Sequence, residues 1–176
     1  QGGAGFATGS VTDATSGLSQ NDSGPFARAY GRAVGFWPLG SDWFGSARLE
    51  LGEVFVQQAL TVPDTLLFRA GGDDSVRGYS YRSLGPLVGG SVVSGSKLFT
   101  ASLQVEHPIF ASQPDLLYAL FIDAGNAANS WAELKPVLGY GVGVHWRSPV
   151  GPLRIDLAYG QELKRLRLSF SVGIAF

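Results

Sequence analysis

Leu166-Arg167-Leu168-Ser169-Phe170-Ser171-Val172-Gly173-Ile174-Ala175-Phe176 ends the chain with apolar residues in unbroken alternation with polar or small ones. Successive side chains of an extended strand point to opposite faces, so a period of two over this length defines a β-strand with one apolar face. The same reading extends upstream. Leu153, Ile155, Leu157 and Tyr159 alternate with Arg154, Asp156, Ala158 and Gly160, and Leu138, Tyr140, Val142, Val144 and Trp146 alternate with Gly139, Gly141, Gly143, His145 and Arg147. Phe99 to Glu106 and Leu49 to Gly52 repeat the pattern. Candidate strands fall near 3–12, 26–38, 43–56, 97–109, 116–127, 137–147, 153–161 and 166–176, about eight in all. Most approach the roughly 9 to 11 residues that a tilted strand needs to cross a bilayer.

Composition decides what the apolar face meets. Charged residues are only 15% of the 176, with 25 glycines and 12% aromatics, whereas soluble domains carry roughly a quarter charged residues. A soluble up-and-down barrel would turn its apolar face inward and cover its outside with Lys and Glu. Here the polar parity carries Gly, Ser, Thr, Arg, Gln and Asp, which suits a lumen. Trp37, Trp43, Phe44, Tyr118 and Trp146 gather near strand ends, as girdle aromatics do. Connections alternate between short (38–42, 112–115, 148–152) and long (13–24, 57–96, 125–135), the sidedness of a membrane meander. No run of 18 apolar residues offers a transmembrane helix, and the Gly-rich start is not a signal peptide. A net charge of −1 leaves no field for nucleic acid, and the absence of Cys suits an oxidising compartment. The fold expected is an all-β transmembrane antiparallel barrel of about eight strands, forming one domain over 1–176.

The 57–96 connection is too long for a hairpin, and such loops are usually functional or disordered; its centre argues for function. At its centre Gly71-Gly72-Asp73-Asp74 can turn with positive φ, and Val76 and Tyr79 can anchor an apolar tip. Arg77 offers a planar fork able to grip a carboxylate at two points. A solvated Arg77 paired with Asp73 or Asp74 is the bland alternative.

Arg69 to Tyr79, with Val76-Arg77-Gly78-Tyr79 at its end, resembles the signature loop of the outer-membrane protein assembly and secretion barrels, the superfamily that includes BamA and TamA. Phe121-Ile122-Asp123-Ala124-Gly125 resembles a strand motif of that family, and Trp146 to Asp156 its late hairpin. Ser96-Lys97-Leu98-Phe99 and the terminal strand bring the chain nearest to the TamA barrel. The resemblance implies that the loop folds back into the barrel and that Arg77 meets Asp123, with Phe121 and Gly125 on the same inward face. It implies a sixteen-stranded parent with periplasmic POTRA domains. Three candidate strands precede the loop and five follow, which maps the chain onto strands nine to sixteen, without a POTRA domain. The implied function is non-enzymatic: insertion or translocation of other outer-membrane proteins, client barrels or autotransporters, through a lateral seam in the bacterial outer membrane. Lipid and a periplasmic partner of TamB type are the implied company, and no cofactor or metal is expected. Phe170, Val172, Gly173, Ile174 and Phe176 look like the terminal signal by which assembly machines recognise clients.

Three other readings are weaker. Gly139-Tyr140-Gly141-Val142-Gly143 looks like a dinucleotide fingerprint but lies within a strand pattern. His107 and His145 lack companions at metal-ligand spacing. His107 with a nearby Ser could serve an eight-stranded lipid-modifying enzyme, and the barrel domain of a patatin-like or two-partner secretion transporter is a further alternative. Strand edges cannot stay open in lipid. A narrow barrel closed on itself, with the inward glycines relieving curvature and the long loop expelled, is therefore expected ahead of a homodimer paired edge to edge.

Overall fold

The computed structural model describes residues 2–12, 19–56, 62–149 and 151–173, and for 2–12 and 19–23 only the backbone. Eight antiparallel strands form one sheet in chain order: β1 Gly2–Thr12, β2 Ser19–Pro38, β3 Phe44–Val56, β6 Lys97–Phe110, β7 Gln113–Ala128, β8 Val137–Ser148, β9 Gly151–Gly160 and β10 Arg165–Val172. Within the long connection, β4 Leu87–Val88 and β5 Ser91–Val92 form a separate hairpin turned by Gly89-Gly90, and Asp64–Leu66 is a 3-10 turn. Every sheet neighbour is a sequence neighbour once the connection is set aside, so the topology is a plain meander.

The sequence-based strand positions agree with these closely, with one sizeable difference. β2 starts at Ser19 rather than near 26, because β1 pairs with it as far as Thr12 opposite Ser19. The segment 19–25 has no apolar alternation of its own; the ladder extends it.

Alternation places the faces. On β8, Leu138, Tyr140, Val142, Val144 and Trp146 are exposed while Gly139, Gly143 and His145 are buried. On β7, Leu120 and Ile122 are exposed while Leu117, Ala119, Phe121 and Asp123 are buried. The apolar parity therefore faces away from the loop and forms a continuous band, with Leu103, Leu157 and Leu168 on neighbouring strands exposed in the same sense. At the short-turn end Trp43, His107 and Tyr118 pack as an aromatic trio, with centroids 4.8 to 5.8 Å apart.

The expected narrow closure is not what the structure has. β1 and β10 are the two edges of an open sheet, and the long connection is packed on the polar inner face instead of being expelled. The apolar core lies between loop and wall: Phe68, Ala70, Val76, Tyr79 and Leu84 of the connection meet Val54, Leu98 and Ala127 of the strands. An eight-stranded lumen is filled by its own side chains, so a closed narrow barrel would have no space for this core. The fold is an open antiparallel sheet of eight strands with the connection packed on its inner face.

Candidate functional site

The loop is tied to the sheet at several levels. Two isolated bridges, Phe68 with Gly95 and Ala70 with Leu84, brace its stem. Phe68 stacks on Tyr30 at 6.2 Å, and its ring occupies the space above Gly52 where a Cβ would come within 2.6 Å. Arg28 donates to the Leu66 carbonyl at 3.0 Å and Arg48 to the Ser75 carbonyl at 2.8 Å, so two inward arginines of β2 and β3 hold loop backbone.

At the tip, Gly71 and Gly72 turn the chain with φ of 99° and 105°, where a Cβ is disfavoured. The turn leaves Asp73 and Asp74 exposed and sends Val76, Arg77 and Tyr79 to the wall, where they are 0%, 6% and 2% exposed. Arg77 pairs with neither adjacent aspartate. Its Nε donates to Asp123 Oδ2 at 2.7 Å and its Nη2 to Asp123 Oδ1 at 2.9 Å, while its backbone N–H donates to Oδ2 at 3.0 Å. This is a two-pronged grip on a carboxylate that is itself fully buried. The remaining N–H groups reach Gln104 Oε1 at 2.8 Å, Ser102 Oγ at 3.4 Å and Asp156 Oδ2 at 3.5 Å. The guanidinium lies 3.4 Å from the centroid of the Phe121 ring, adding a cation–π contact from below. All five side-chain donors of the arginine are engaged, as a buried charge requires.

The inner-wall glycines are the seat for this loop. A Cβ at Gly139 would strike the Arg77 carbonyl oxygen, and one at Gly160 would come within 2.8 Å of the Gly78 carbonyl oxygen. Gly78 in turn has φ of 91° and sits where its own Cβ would meet the backbone of Gly160 at 2.8 Å. Backbone packs on backbone, which only paired glycines permit. Gly139 and Gly160 therefore serve close approach of the loop, not the strong curvature expected of them; Gly141 leaves room instead for the Leu157 carbonyl oxygen and the Phe121 ring. Tyr79 completes the seat by donating from its hydroxyl to the Leu138 carbonyl at 3.2 Å and accepting from the Glu162 N–H at 3.1 Å. Burial holds its phenol above the ordinary tyrosine value.

Beyond Asp123, several wall residues to which the sequence assigns no part in the clasp converge here. Gln104 and Glu106 of β6, His145 of β8 and Asp156 of β9 share the inward parity. Gln104 Nε2 donates to Glu106 Oε1 at 3.0 Å, His145 Nδ1 lies 2.6 Å from the same Oε1, and His145 Nε2 lies 3.0 Å from Asp156 Oδ1. Polar residues on the inward parity are the available signal; which of them meet depends on register across three strands. Beside them an open cavity of about 640 Å³, lined in part by Arg32, Arg48, Arg147 and Arg154, runs toward the short-turn end.

Of the terminal residues, Phe170 and Val172 are exposed on the outward face of β10, and the Gly173 N–H donates to the Pro152 carbonyl at 2.8 Å. Ile174 and Phe176 lie outside the described residues. Gly139 to Gly143 lies within β8 and opens no helix, and His107 sits in the aromatic trio.

An antiparallel sheet with an apolar outer band and a loop clasped by arginine to its inner wall is the wall of a transmembrane β-barrel. Comparison with known proteins gives it a family. The Omp85 superfamily domain matches residues 4–176, and the chain belongs to that superfamily. It is 36% identical over 109 residues to the chloroplastic outer envelope protein 80 of Arabidopsis thaliana, covering 61% of this chain and 14% of that protein. It is 37% identical over 131 residues to the outer membrane protein assembly factor BamA of Nitratidesulfovibrio vulgaris, covering 65% of this chain and 16% of that one. The chain thus spans about a sixth or less of the length of these relatives. The crystal structure of BamA from Haemophilus ducreyi lacking POTRA domains 1–3 superposes with a TM-score of 0.66 at 21% identity, covering 88% of this chain and 38% of that chain. That likeness is one of fold.

Proposed function

We propose that this chain is the C-terminal half of the barrel of an outer-membrane protein assembly factor, acting in the bacterial outer membrane to insert client β-barrel or autotransporter polypeptides without catalysing a covalent reaction. The observation that carries the reading is the clasp of Arg77 on Asp123, made by the signature loop on the inner wall of a sheet whose outer face is apolar. A rigid clasp between loop and wall sets the shape of the lumen side, while β10 stands at the sheet edge with one row of backbone N–H and C=O groups free to template a client strand. Such pairing satisfies a client's backbone before it meets lipid. Under this reading Gly71, Gly72, Asp73, Val76, Gly78 and Tyr79 shape and seat the loop and Asp123 is the lock. Phe170, Val172 and Gly173, with Ile174 and Phe176 outside the described residues, are taken as the terminal signal. The same proposal takes the chain as strands nine to sixteen of its parent, and the TamA branch with a TamB-type partner as its setting.

The test is client insertion into lipid vesicles by the complete parent. Arg77→Ala and Asp123→Ala are each expected to slow insertion, and the double variant to be no slower than the worse single one, the signature of a shared interaction. Unchanged insertion by a folded Arg77→Ala variant whose loop has left the wall would sink the proposal.

A further inference from the structure

His145 is the one imidazole on the inner wall among the described residues, 3% exposed, and it faces carboxylate oxygens on both sides: Glu106 Oε1 at 2.6 Å and Asp156 Oδ1 at 3.0 Å. A carboxylate oxygen can only accept, so both contacts are hydrogen bonds only when both ring nitrogens carry protons. The arrangement is built rather than accidental. Gly143 stands opposite Asp156 in the ladder, and a Cβ there would strike Asp156 Oδ1 and come within 2.9 Å of His145 Nε2. Its missing side chain is the gap in which ring and carboxylate meet. The contacts also close a circuit: Arg77 to Gln104, Gln104 to Glu106, Glu106 to His145, His145 to Asp156, and Asp156 back to Arg77. Asp123 grips one edge of the arginine from outside this circuit, and the circuit supplies the acceptors for the other.

We propose that His145 is a positioning residue for the loop clasp: as the imidazolium it joins β6 to β9 through Glu106 and Asp156 and presents Gln104 and Asp156 to Arg77, and loss of its proton loosens the loop. The proposal rests on the clasp reading. Among the bonded groups, the cations Arg77, His145 and Arg147 face the carboxylates Asp123, Asp156 and Glu106, with Arg147 on Glu106 at 3.3 Å. Removing the imidazolium proton turns one ring nitrogen into a lone pair against a carboxylate and leaves one buried anion without its counter-charge, which is costly where water is excluded. Arg154, the cross-strand partner of His145, is exposed, and β7 presents apolar Leu117 and the already engaged Asp123. Carboxylic acids ordinarily titrate in the acid range and guanidinium groups above about pH 12, and burial holds Tyr79 above its usual value. The imidazole is therefore the side chain of this cluster whose ordinary value lies between those ranges.

The chain contains no Cys and two His, so site-specific labels and histidine resonances can be followed in the full chain in detergent micelles. Nitroxides at Tyr81→Cys on the loop and Leu163→Cys on the wall-end turn report the loop-to-wall distance across roughly pH 5 to 9 while the His145 imidazole is titrated by NMR. One narrow distance is expected at the acid end. A longer population should grow as His145 deprotonates, by about tenfold in the ratio, the scale of one lost charge-assisted hydrogen bond. In His145→Gln the longer population should be present throughout and insensitive to pH. A distance distribution that stays constant while His145 titrates, or a pH response retained in His145→Gln, overturns the proposal; if that variant does not fold, the wild-type series alone decides. Arg77→Ala should show the released distance at every pH, and a narrow distance there would overturn the clasp itself.

Discussion

The two faces of β8 obey different rules although they alternate residue by residue. Outward, Leu138, Tyr140, Val142, Val144 and Trp146 share one requirement, to be apolar, and none is buried by protein. Inward, each residue answers to a different neighbour. Gly139 admits the Arg77 backbone, Gly141 the Phe121 ring and Gly143 the Asp156 carboxylate, while His145 joins two strands. A fluid solvent imposes a general constraint, and a packed loop imposes a positional one. The outer face is thus specified by hydropathy and the inner face by shape and hydrogen-bond inventory.

This contrast can be broken at several points, the most damaging first. Arg77→Ala leaves Asp123 buried without a counter-charge and should weaken loop docking by about 3 to 5 kcal/mol, the range for breaking a buried pair, measured by protease protection of the loop. Arg77→Lys should rescue little, since an ammonium cannot reproduce the planar grip. Val142→Arg places a charge on the outer face and should cost about 2 to 4 kcal/mol if the position lies near the bilayer midplane, read from urea unfolding in lipid vesicles; a loss below about 0.5 kcal/mol would remove the lipid-facing assignment. Gly139→Ala adds one methyl group at the loop seat and should cost about 1 to 3 kcal/mol by overpacking, with loop protection falling before the sheet unfolds. Val142→Leu also adds one carbon, and should stay within about 0.5 kcal/mol because lipid accommodates it. Equal costs for these last two would erase the distinction between the faces.

Much of this is legible in the chain. Hydrophobic alternation locates the strands because it breaks wherever a turn begins. It misses the start of β2, where Ser19 to Gly24 are extended by pairing with β1 rather than by their own pattern. The β4–β5 hairpin also escapes it, although Gly89-Gly90 between Leu87-Val88 and Ser91-Val92 is a recognised turn signal. Within the site, Arg77 and Asp123 stand out through motif resemblance. Gln104, Glu106 and His145 do not, and Asp156, although it closes the hairpin motif, gains no partner from it, because a residue's parity gives its face but not its neighbours.

By itself, then, the sequence determined an all-β membrane wall, which side of its alternating strands meets lipid, and the residues able to turn and anchor the long loop. These follow from local geometry, since a two-residue period and a glycine turn need no distant partner. Tertiary structure decided that the sheet stays open with the loop on its inner face, that Gly139 and Gly160 serve backbone approach, and that residues as distant as Arg77, Glu106, His145 and Asp156 close one circuit. Those outcomes depend on strand register and on competition for volume at the inner face, and both are settled only when separate strands are laid side by side.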